Sequence, residues 1–153
     1  GIGQYLDRVE KELSAIQTTF SSESNALNSV LAPAKVLCGN RGIALECTVG
    51  RLDMGAIPIT SLYALTNEMV RLSVDVAELQ ADPQRRAMEL GIRVRSGVLL
   101  VSCDVACPAG CDPWKDGEKL RPLRMLAERE AGALRAAVEG ETASLQVAIP
   151  TGK

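Results

Sequence analysis

Five cysteines are the residues with the most distinctive chemistry in this chain, and they fall into two groups, Cys38 with Cys47 and then Cys103, Cys107 and Cys111. The first pair encloses a Gly-Asn-Arg-Gly turn signal, so a small disulfide-closed loop is one interpretation. The second group could close another tight loop through Cys103 and Cys107, which leaves Cys111 as a free thiol or an interchain link. A metal or iron–sulfur site is a second interpretation, although three clustered thiols without histidine do not complete a common ligand set. The third interpretation is that the cysteines are reduced, buried thiols without a disulfide or a metal.

The amino-acid composition of the chain excludes several classes of function. The chain has 153 residues, 17 basic and 19 acidic side chains and no histidine, for a net charge of −2. The lack of histidine excludes Ser-His-Asp and Cys-His catalysis and histidine-ligated zinc. The charge balance argues against a nucleic-acid binder. Since no residue set combines a general base, a nucleophile and an oxyanion site, we expect neither an enzyme nor a cofactor.

Two segments carry apolar residues spaced alternately three and four apart, which is the pattern of a heptad seam. Leucine or phenylalanine at position a, with mostly β-branched residues at d, disfavours a parallel dimer in the first segment. The pattern predicts a mainly α fold built on a parallel trimeric coiled coil; an antiparallel bundle within one chain is the alternative. The predicted trimer core consists of Leu6, Val9, Leu13, Ile16, Phe20, Leu27, Val30, Leu62, Leu65, Met69, Leu72, Val76 and Leu79.

The rest of the chain is predicted to connect or extend these helices within a single domain, residues 1–153. Pro33 ends the first helix, a β-hairpin turns at Ser96-Gly97, and a third helix starts near Pro122. The predicted segments are a first heptad helix at 1–31, a disulfide-pinned β insertion at 32–58, a second heptad helix at 59–90, a hairpin with a Cys loop at 91–112, and a final segment at 113–153.

One carboxylate interrupts the first seam, because Glu23 occupies a d position. Three like charges buried near one axis would raise the pKa of this carboxyl group, so the coil would gain stability as the pH falls through that raised value. Glu10, Glu12, Glu68 and Asp75 flank the seams and are further candidate pH-sensing carboxylates. The alternative is that Glu23 turns to water or pairs with a lysine or arginine.

A short motif resembles a known family. The run Cys103-Asp104-Val105-Ala106-Cys107 follows a helix end and a hairpin. This arrangement resembles the membrane-fusion subunit of influenza haemagglutinin, in which a trimeric coil ends in a hairpin followed by a Cys-Asp-x-Ala-Cys disulfide. The family is the class I viral fusion glycoproteins of orthomyxovirus type, and an isavirus fusion protein fits better than influenza itself.

The resemblance implies a function and a set of partners. The chain would be a fusion core that refolds at low pH into a trimer of hairpins and joins viral and host endosomal membranes. It would lie on the outer face of the virion envelope or infected-cell membrane. Cys103 and Cys107 would form the short-loop disulfide, Cys111 could bind a companion subunit, and residues 113–153 would form an antiparallel return segment.

Two other classes of function stay open from the sequence. One is a disulfide-stabilised helical-bundle surface antigen or adhesin, with residues 34–58 as its head. The other is a cytoplasmic coiled-coil scaffold with reduced thiols.

Overall fold

The computed structural model describes residues 21–50 and 58–150, with side chains from residue 28 onward. Five strands form one mixed sheet in the order β1-β2-β3-β5-β4. β1 runs parallel to β2, and the other neighbouring strands are antiparallel. The elements in chain order are α1 (Ser21–Asn40), β1 (Ala44–Val49), α2 (Ile59–Ala77), β2 (Ala87–Arg95), β3 (Val98–Ala106), α3 (Arg121–Arg129), β4 (Ala133–Glu139) and β5 (Thr142–Pro150). The predicted mainly α coiled coil is therefore wrong, because the described chain is an α/β fold.

The strands alternate between buried and accessible side chains, as expected for a sheet that is covered on one face. In β3 every second residue is buried, and β5 repeats this pattern through Ala143, Leu145, Val147 and Ile149. The three helices contact the strands and one another, and the buried side chains join them in one core. The described part is thus a two-layer structure, with helices on one face of the sheet.

The apolar stripe of α2 explains why the trimer prediction failed. Five of the predicted seam residues in α2 are buried, but Thr66, Val70, Ser73, Val74 and Ala77 are buried too. This stripe is wider than a two-position seam, as in a helix that packs on a globular core. The contacts of α2 with β3, α1 and α3 supply the cover that the prediction assigned to other copies.

The remaining seam residues divide between buried, exposed and undescribed positions. Val30 is buried in α1, whereas Leu79 follows the end of α2 and is 51% exposed. Leu27 lies in α1, but its side chain is outside the described set. The predictions at Leu6, Val9, Leu13, Ile16 and Phe20 also lie outside the described residues.

Three predicted boundaries are wrong. The second heptad helix, predicted at 59–90, ends at Ala77, and β2 already begins at Ala87. α1 continues through Pro33 to Asn40, so the 32–58 insertion is instead the end of this helix followed by strand β1. The predicted return segment contains only the short helix α3 before β4 and β5 form an antiparallel hairpin. This hairpin places residues 133–150 in the sheet.

The β2–β3 hairpin is confirmed at the predicted turn. Ser96 and Gly97 have φ values of 52° and 74°. A two-residue hairpin turn whose twist matches that of the strands requires positive φ values at both positions. The strands on either side run from Ala87 to Arg95 and from Val98 to Ala106. This pair forms the centre of the sheet together with β5.

A tight connection joins α3 to β4. The amide of Gly132 donates to the carbonyl of Ala127 at 2.8 Å, and Ala131 adopts a left-handed φ of 61°. A Cβ atom on Gly132 would lie 2.5 Å from the carbonyl oxygen of Ala148 and 2.7 Å from Cγ1 of Ile149. Only glycine lets the end of α3 approach β5 this closely, and this contact fixes the position of α3.

Within residues 21–50 and 58–150, none of the helices combines the length and the apolar character that a membrane crossing requires.

Candidate functional site

The loop between β3 and α3 is held at its two ends and exposed in between. Trp114 is half-buried and packs against the core, and Leu120 is buried. Between them, Lys115 to Lys119 are all exposed. The carboxylate of Asp116 accepts a hydrogen bond of 3.0 Å from the amide of Glu118, which starts a short 3-10 turn at Gly117–Leu120. This turn presents charged side chains from an anchored backbone.

α3 has two distinct faces. Leu123 and Ala127 are buried toward the core. The side chains at Arg121, Arg124, Met125 and Glu128 recur at helical spacing and are exposed on the other face. Pro122 lies in the first turn, where a missing backbone donor has no cost. The exposed face therefore stands beside the loop and forms a second wall.

An open groove of about 700 Å³ lies between this loop and the exposed face of α3. Three cations and three carboxylates line it, together with the exposed side chain of Met125. The cations are Lys115, Arg121 and Arg124, and one of them, Arg121, lies 3.7 Å from Glu118 in an exposed ion pair. Exposed pairs of this kind are weak, so a multiply charged anion can compete for the guanidinium groups.

A second, smaller cleft is crossed by a hydrogen bond that helps to hold α3 in place. It has a volume of about 110 Å³ and lies between the start of α2 and the end of α3. The hydroxyl of Ser61 donates to Oε2 of Glu130 at 2.7 Å across it. This bond ties the two helices, and the cleft is too small for a ligand of several atoms.

Four of the five cysteines lie in the core or against it: Cys38, Cys103 and Cys107 are buried, and Cys47 is partly buried. Cys47 on β1 and Cys103 on β3 both pair with Leu90 of the intervening strand, and Sγ of Cys38 lies 4.0 Å from Sδ of Met88. Burial raises the pKa of the Cys38 thiol to about 11 and that of Cys103 to about 12. Burial also raises the pKa of Cys47. These thiols stay protonated at neutral pH, so they are poor nucleophiles.

The structure contains neither of the two predicted disulfides, since all five cysteines are free thiols. Cys103 and Cys107 are separated by four residues of extended chain, about 13 Å. Disulfide-bonded residues have Cα atoms within about 7 Å, so this pair does not fit the strand. Cys111 follows Cys107 in a turn in which its amide donates to the carbonyl of Pro108. Among the described residues, no group of three or more Cys, Asp or Glu side chains is placed to hold a metal ion.

The predicted pH-sensing carboxylates do not come together at a trimer axis. Glu68 and Asp75 are on α2, where Glu68 pairs with Arg71 and Asp75 is exposed. The side chain of Glu23 in α1 and both Glu10 and Glu12 lie outside the described residues.

The groove residues were not predicted from the sequence. The sequence patterns predict a helix that starts near Pro122 within the final segment at 113–153, but they assign no binding role to Lys115, Arg121 or Arg124. The useful signal was the charged side chains at Arg121, Arg124 and Glu128, which follow directly after a polar loop with Lys115. Such a loop–helix junction can build a site, because the helix gives regular spacing and the loop gives exposed charge.

Comparison with known proteins identifies the fold. No family model and no curated protein matches the chain. The catalytic domain of histidine kinase ThkA, in a nucleotide-free form, is 10% identical and has a TM-score of 0.64 over 84% of this chain and 92% of that domain. The Acinetobacter baumannii histidine kinase AdeS is 10% identical, with a TM-score of 0.62 over 85% of this chain and 65% of that one. The histidine kinase domain of Erythrobacter litoralis EL346, a blue-light activated histidine kinase, is 18% identical, with a TM-score of 0.61 over 80% of this chain and 59% of that one.

These similarities show that the chain has the fold of histidine kinase catalytic domains. The resemblance to orthomyxovirus fusion proteins is wrong, because the Cys-Asp-Val-Ala-Cys run is part of a central strand and its exit. The predicted fusion activity, the homotrimer, the viral and host membrane partners and the envelope location are overturned with it, and nothing in the comparisons supports the surface-antigen alternative. The expectation that the chain is not an enzyme is corrected as well, since the solved structures that share its fold are parts of kinases.

Proposed function

We propose that this chain is a nucleotide-binding catalytic domain of the histidine kinase type, and that the groove beside α3 binds the phosphates. The observation that carries the proposal is the convergence of Lys115, Arg121 and Arg124 on one open groove. Guanidinium groups bind phosphate oxygens in pairs, and a lysine adds a compact charge. A volume of about 700 Å³ lies within the usual range for small-molecule sites.

Each groove residue has a distinct part in this proposal. Arg121 and Arg124, one turn apart on α3, hold phosphate oxygens, and Lys115 approaches from the loop. Met125 is 58% exposed and offers apolar contact to a base or sugar. Because catalysis of phosphoryl transfer is mostly positioning and electrostatic stabilisation, these contacts would orient the terminal phosphate.

The groove also offers carboxylates for a magnesium ion, which normally takes one or two of them together with phosphate oxygens and water. Asp116 already accepts the amide of Glu118, and Glu118 lies beside Arg121. Glu128 is therefore the carboxylate that best fits this role. When bound, Mg²⁺ neutralises charge that develops on the transferred phosphoryl group.

The absence of histidine from all 153 residues places the phosphate acceptor on another segment or another chain. In the proposed transfer the bond between the terminal phosphorus and the bridging oxygen of ADP breaks. A bond forms from that phosphorus to an imidazole nitrogen of the acceptor, whose proton leaves to solvent. The open groove leaves the terminal phosphate accessible to such an acceptor.

Binding is tested through Trp114, the single tryptophan, which lies next to Lys115. We expect its fluorescence to change on titration with ATP or ADP in the presence of Mg²⁺. Arg121→Ala and Arg124→Ala should each weaken binding about tenfold, since each removes a charge-assisted hydrogen bond. Arg85→Ala is the matched control, because Arg85 pairs with Glu141 and does not line the groove. Unchanged affinity in both groove variants would contradict the site.

A second candidate is a domain that binds nucleotide without transferring phosphate. It is favoured by the lack of any group of three or more metal-ligating side chains in the described part of the chain. Formation of ADP from ATP separates the two candidates, if it is measured with the wild type and with Glu128→Gln in the presence of a histidine-containing acceptor peptide. ADP formation that falls in this variant supports catalysis, whereas tight binding with no ADP formed supports the second candidate.

A further inference from the structure

The loop between β3 and α3 begins with two cysteines, Cys107 and Cys111, on either side of a tight turn. The amide of Cys111 donates to the carbonyl of Pro108 at 3.1 Å, and Gly110 has a left-handed φ of 78°. A positive φ at the third of four residues is typical of a type II turn, whose first and fourth Cα atoms lie within about 7 Å of each other. The chain therefore reverses directly after Cys107. We call residues 107–111 the cysteine turn.

One end of the cysteine turn is fixed, and the other can react. Cys107 is fully buried, and its amide donates to the carbonyl of Glu141 at 2.9 Å, which ties it to the connection between β4 and β5. Cys111 is only partly buried, so a small oxidant can reach its sulfur. Oxidation-sensitive cysteines are accessible and often lie next to a second cysteine that resolves the first oxidation product.

The effects of the thiols on one another indicate which of them are neighbours. Burial raises the pKa of Cys107, and the Cys111 thiol raises it further. The thiols that add to the effect of burial on the pKa of Cys103 are instead Cys38 and Cys47. Four residues of extended chain, about 13 Å, also separate Cys103 from Cys107. Cys107 therefore has Cys111 as its partner thiol.

We propose that Cys107 and Cys111 form a reversible disulfide when the protein meets a peroxide, and that this link weakens nucleotide binding in the groove beside α3. The first half of the proposal stands on the cysteine turn alone. The second half rests on the proposed function, because it concerns the loop that carries Lys115 into the groove.

The chemistry balances with hydrogen peroxide as the oxidant. The sulfur of Cys111 attacks one peroxide oxygen, the O–O bond breaks, and water leaves behind a sulfenic acid. The sulfur of Cys107 then attacks the sulfur of Cys111, the S–O bond breaks, and the hydroxyl group leaves as a second water with the Cys107 proton. The two thiols lose two electrons in total, and the peroxide is reduced to water. A dithiol reductant reverses the link by thiol–disulfide exchange.

The link affects the groove because the chain between them is short and stiff. Two residues, the second of them Pro113, separate Cys111 from Trp114, which is followed by Lys115. Proline fixes its own φ and restricts the residue before it. A disulfide brings the two sulfur atoms to about 2.05 Å, and since Cys107 is held in place, Cys111 is the residue that moves. The stiff segment passes this displacement to Lys115, so the groove loses one of its three cations.

Mass spectrometry tests the link without any nucleotide. The full chain is treated with hydrogen peroxide, its free thiols are alkylated in denaturant, and the link is then reduced and given a second label. Trypsin releases residues 96–115, which contain Cys103, Cys107 and Cys111 in one peptide, and fragmentation assigns the labels within it. We expect the second label on Cys107 and Cys111 and the first label on Cys103.

Two variants serve as matched controls for the link. Cys111→Ser keeps the backbone hydrogen bond of the turn and removes the accessible thiol, so it should form no link. Cys103→Ala should form the link as the wild type does. An oxidised Cys111 without a link, a second label on any other cysteine, or a link between two copies of the chain would overturn the proposal.

Titration with ATP and Mg²⁺, followed by Trp114 fluorescence, tests the effect on the groove. Oxidation of the wild type should raise the ATP Kd about tenfold, since one charged contact to phosphate is lost, and a dithiol should restore it. Peroxide-treated Cys111→Ser should keep the affinity of the reduced wild type. Equal affinities of the linked and reduced wild type would overturn the second half of the proposal. A reduced protein that does not bind ATP would contradict the proposed function as well, while the labels would still decide whether the link forms.

Discussion

The groove beside α3 and the face of the sheet that points away from the helices carry similar charges in different ways. In the groove, Lys115 is on a loop and Arg121 and Arg124 are on the exposed side of a nine-residue helix. On the sheet, Glu89 and Arg93 are fixed by strand register. Long side chains on a loop and a helix can adjust around a small anion, whereas charges fixed by register suit only a surface with the same spacing.

The positions of the charged side chains therefore determine what each surface can bind. Both regions are exposed, and both contain arginines and carboxylates. The groove is concave, so its three cations line the same space. The sheet face is extended and keeps Glu89 and Arg93 about 13 Å apart along β2, so we assign the nucleotide to the groove.

The largest effect is expected at the junction of α3 and β4. Gly132→Ala would place a Cβ atom 2.5 Å from the carbonyl oxygen of Ala148, which should lower the free energy of unfolding by about 2 to 3 kcal/mol. Urea unfolding measures this loss. Gly39→Ala is the matched control, since nothing lies within 4 Å of the added Cβ. Equal stability of both variants would show that α3 does not depend on this close contact.

A next test asks whether the nucleotide binds in the groove. Arg121→Ala combined with Arg124→Ala should weaken ATP binding by about 100-fold, or about 2.7 kcal/mol. Arg93→Ala, which removes an arginine from the sheet face, is the control and should leave the affinity unchanged. Titration of Trp114 fluorescence measures the affinity of each variant. An equal loss of affinity in the two variants would contradict the assignment of the nucleotide to the groove.

The buried thiols between the helices and the sheet provide a test of the layer that separates the two regions. The pKa of Cys103 is raised by burial to about 12 and that of Cys38 to about 11, from 9.0. At pH values below the pKa that the thiols have in the unfolded chain, the buried protonated thiols contribute their full stabilisation to the fold. This contribution is lost as the pH rises through the pKa values of the thiols in the folded state. Stability should therefore fall above pH 9, at up to about 1.4 kcal/mol per pH unit for each thiol.

Urea unfolding from pH 8 to pH 10 measures this slope. Cys103→Ala should flatten the slope, while Val105→Ala, which removes a buried side chain without a thiol from the same strand, should keep it. A wild-type slope no steeper than that of Cys103→Ala would contradict the burial argument.

The smallest effect concerns the end of α3. Ala131 has a left-handed φ of 61°, a conformation that costs a side chain about 1 kcal/mol and that glycine adopts freely. Ala131→Gly should stabilise the fold by about 0.5 to 1 kcal/mol, as measured by thermal melting. Ala133→Gly, in β4, should destabilise it instead. A loss of stability in Ala131→Gly would show that the turn is not strained.

Local signals in the sequence predicted some elements correctly. Ser96-Gly97 placed the central hairpin, because few residues accept two consecutive positive φ values. Periodicity also indicated α2 as a helix. Periodicity did not reveal what covers that helix, because a heptad-like stripe can pack against a partner helix or against a sheet. Thr66 and Ser73 are polar, so the sequence did not show that they belong to the buried surface.

Other elements depended on contacts that a single sequence does not display. Residues 133–138 contain three alanines, which favour helix, yet pairing with β5 makes them a strand. The alternation of Leu134, Ala136 and Val138 was the competing signal. The groove was missed because its volume exists only once Trp114 and Leu120 anchor the loop beside α3.

The parallel pairing of β1 with β2 has a consequence for the order of assembly. The two hairpins join strands that are neighbours in sequence, whereas β1 and β2 are separated along the chain by the whole of α2. Contacts between distant parts of a chain are slow to form. Amide exchange should therefore show β1 as the first strand to open and the last to gain protection during refolding, so partial unfolding would begin at this edge of the sheet.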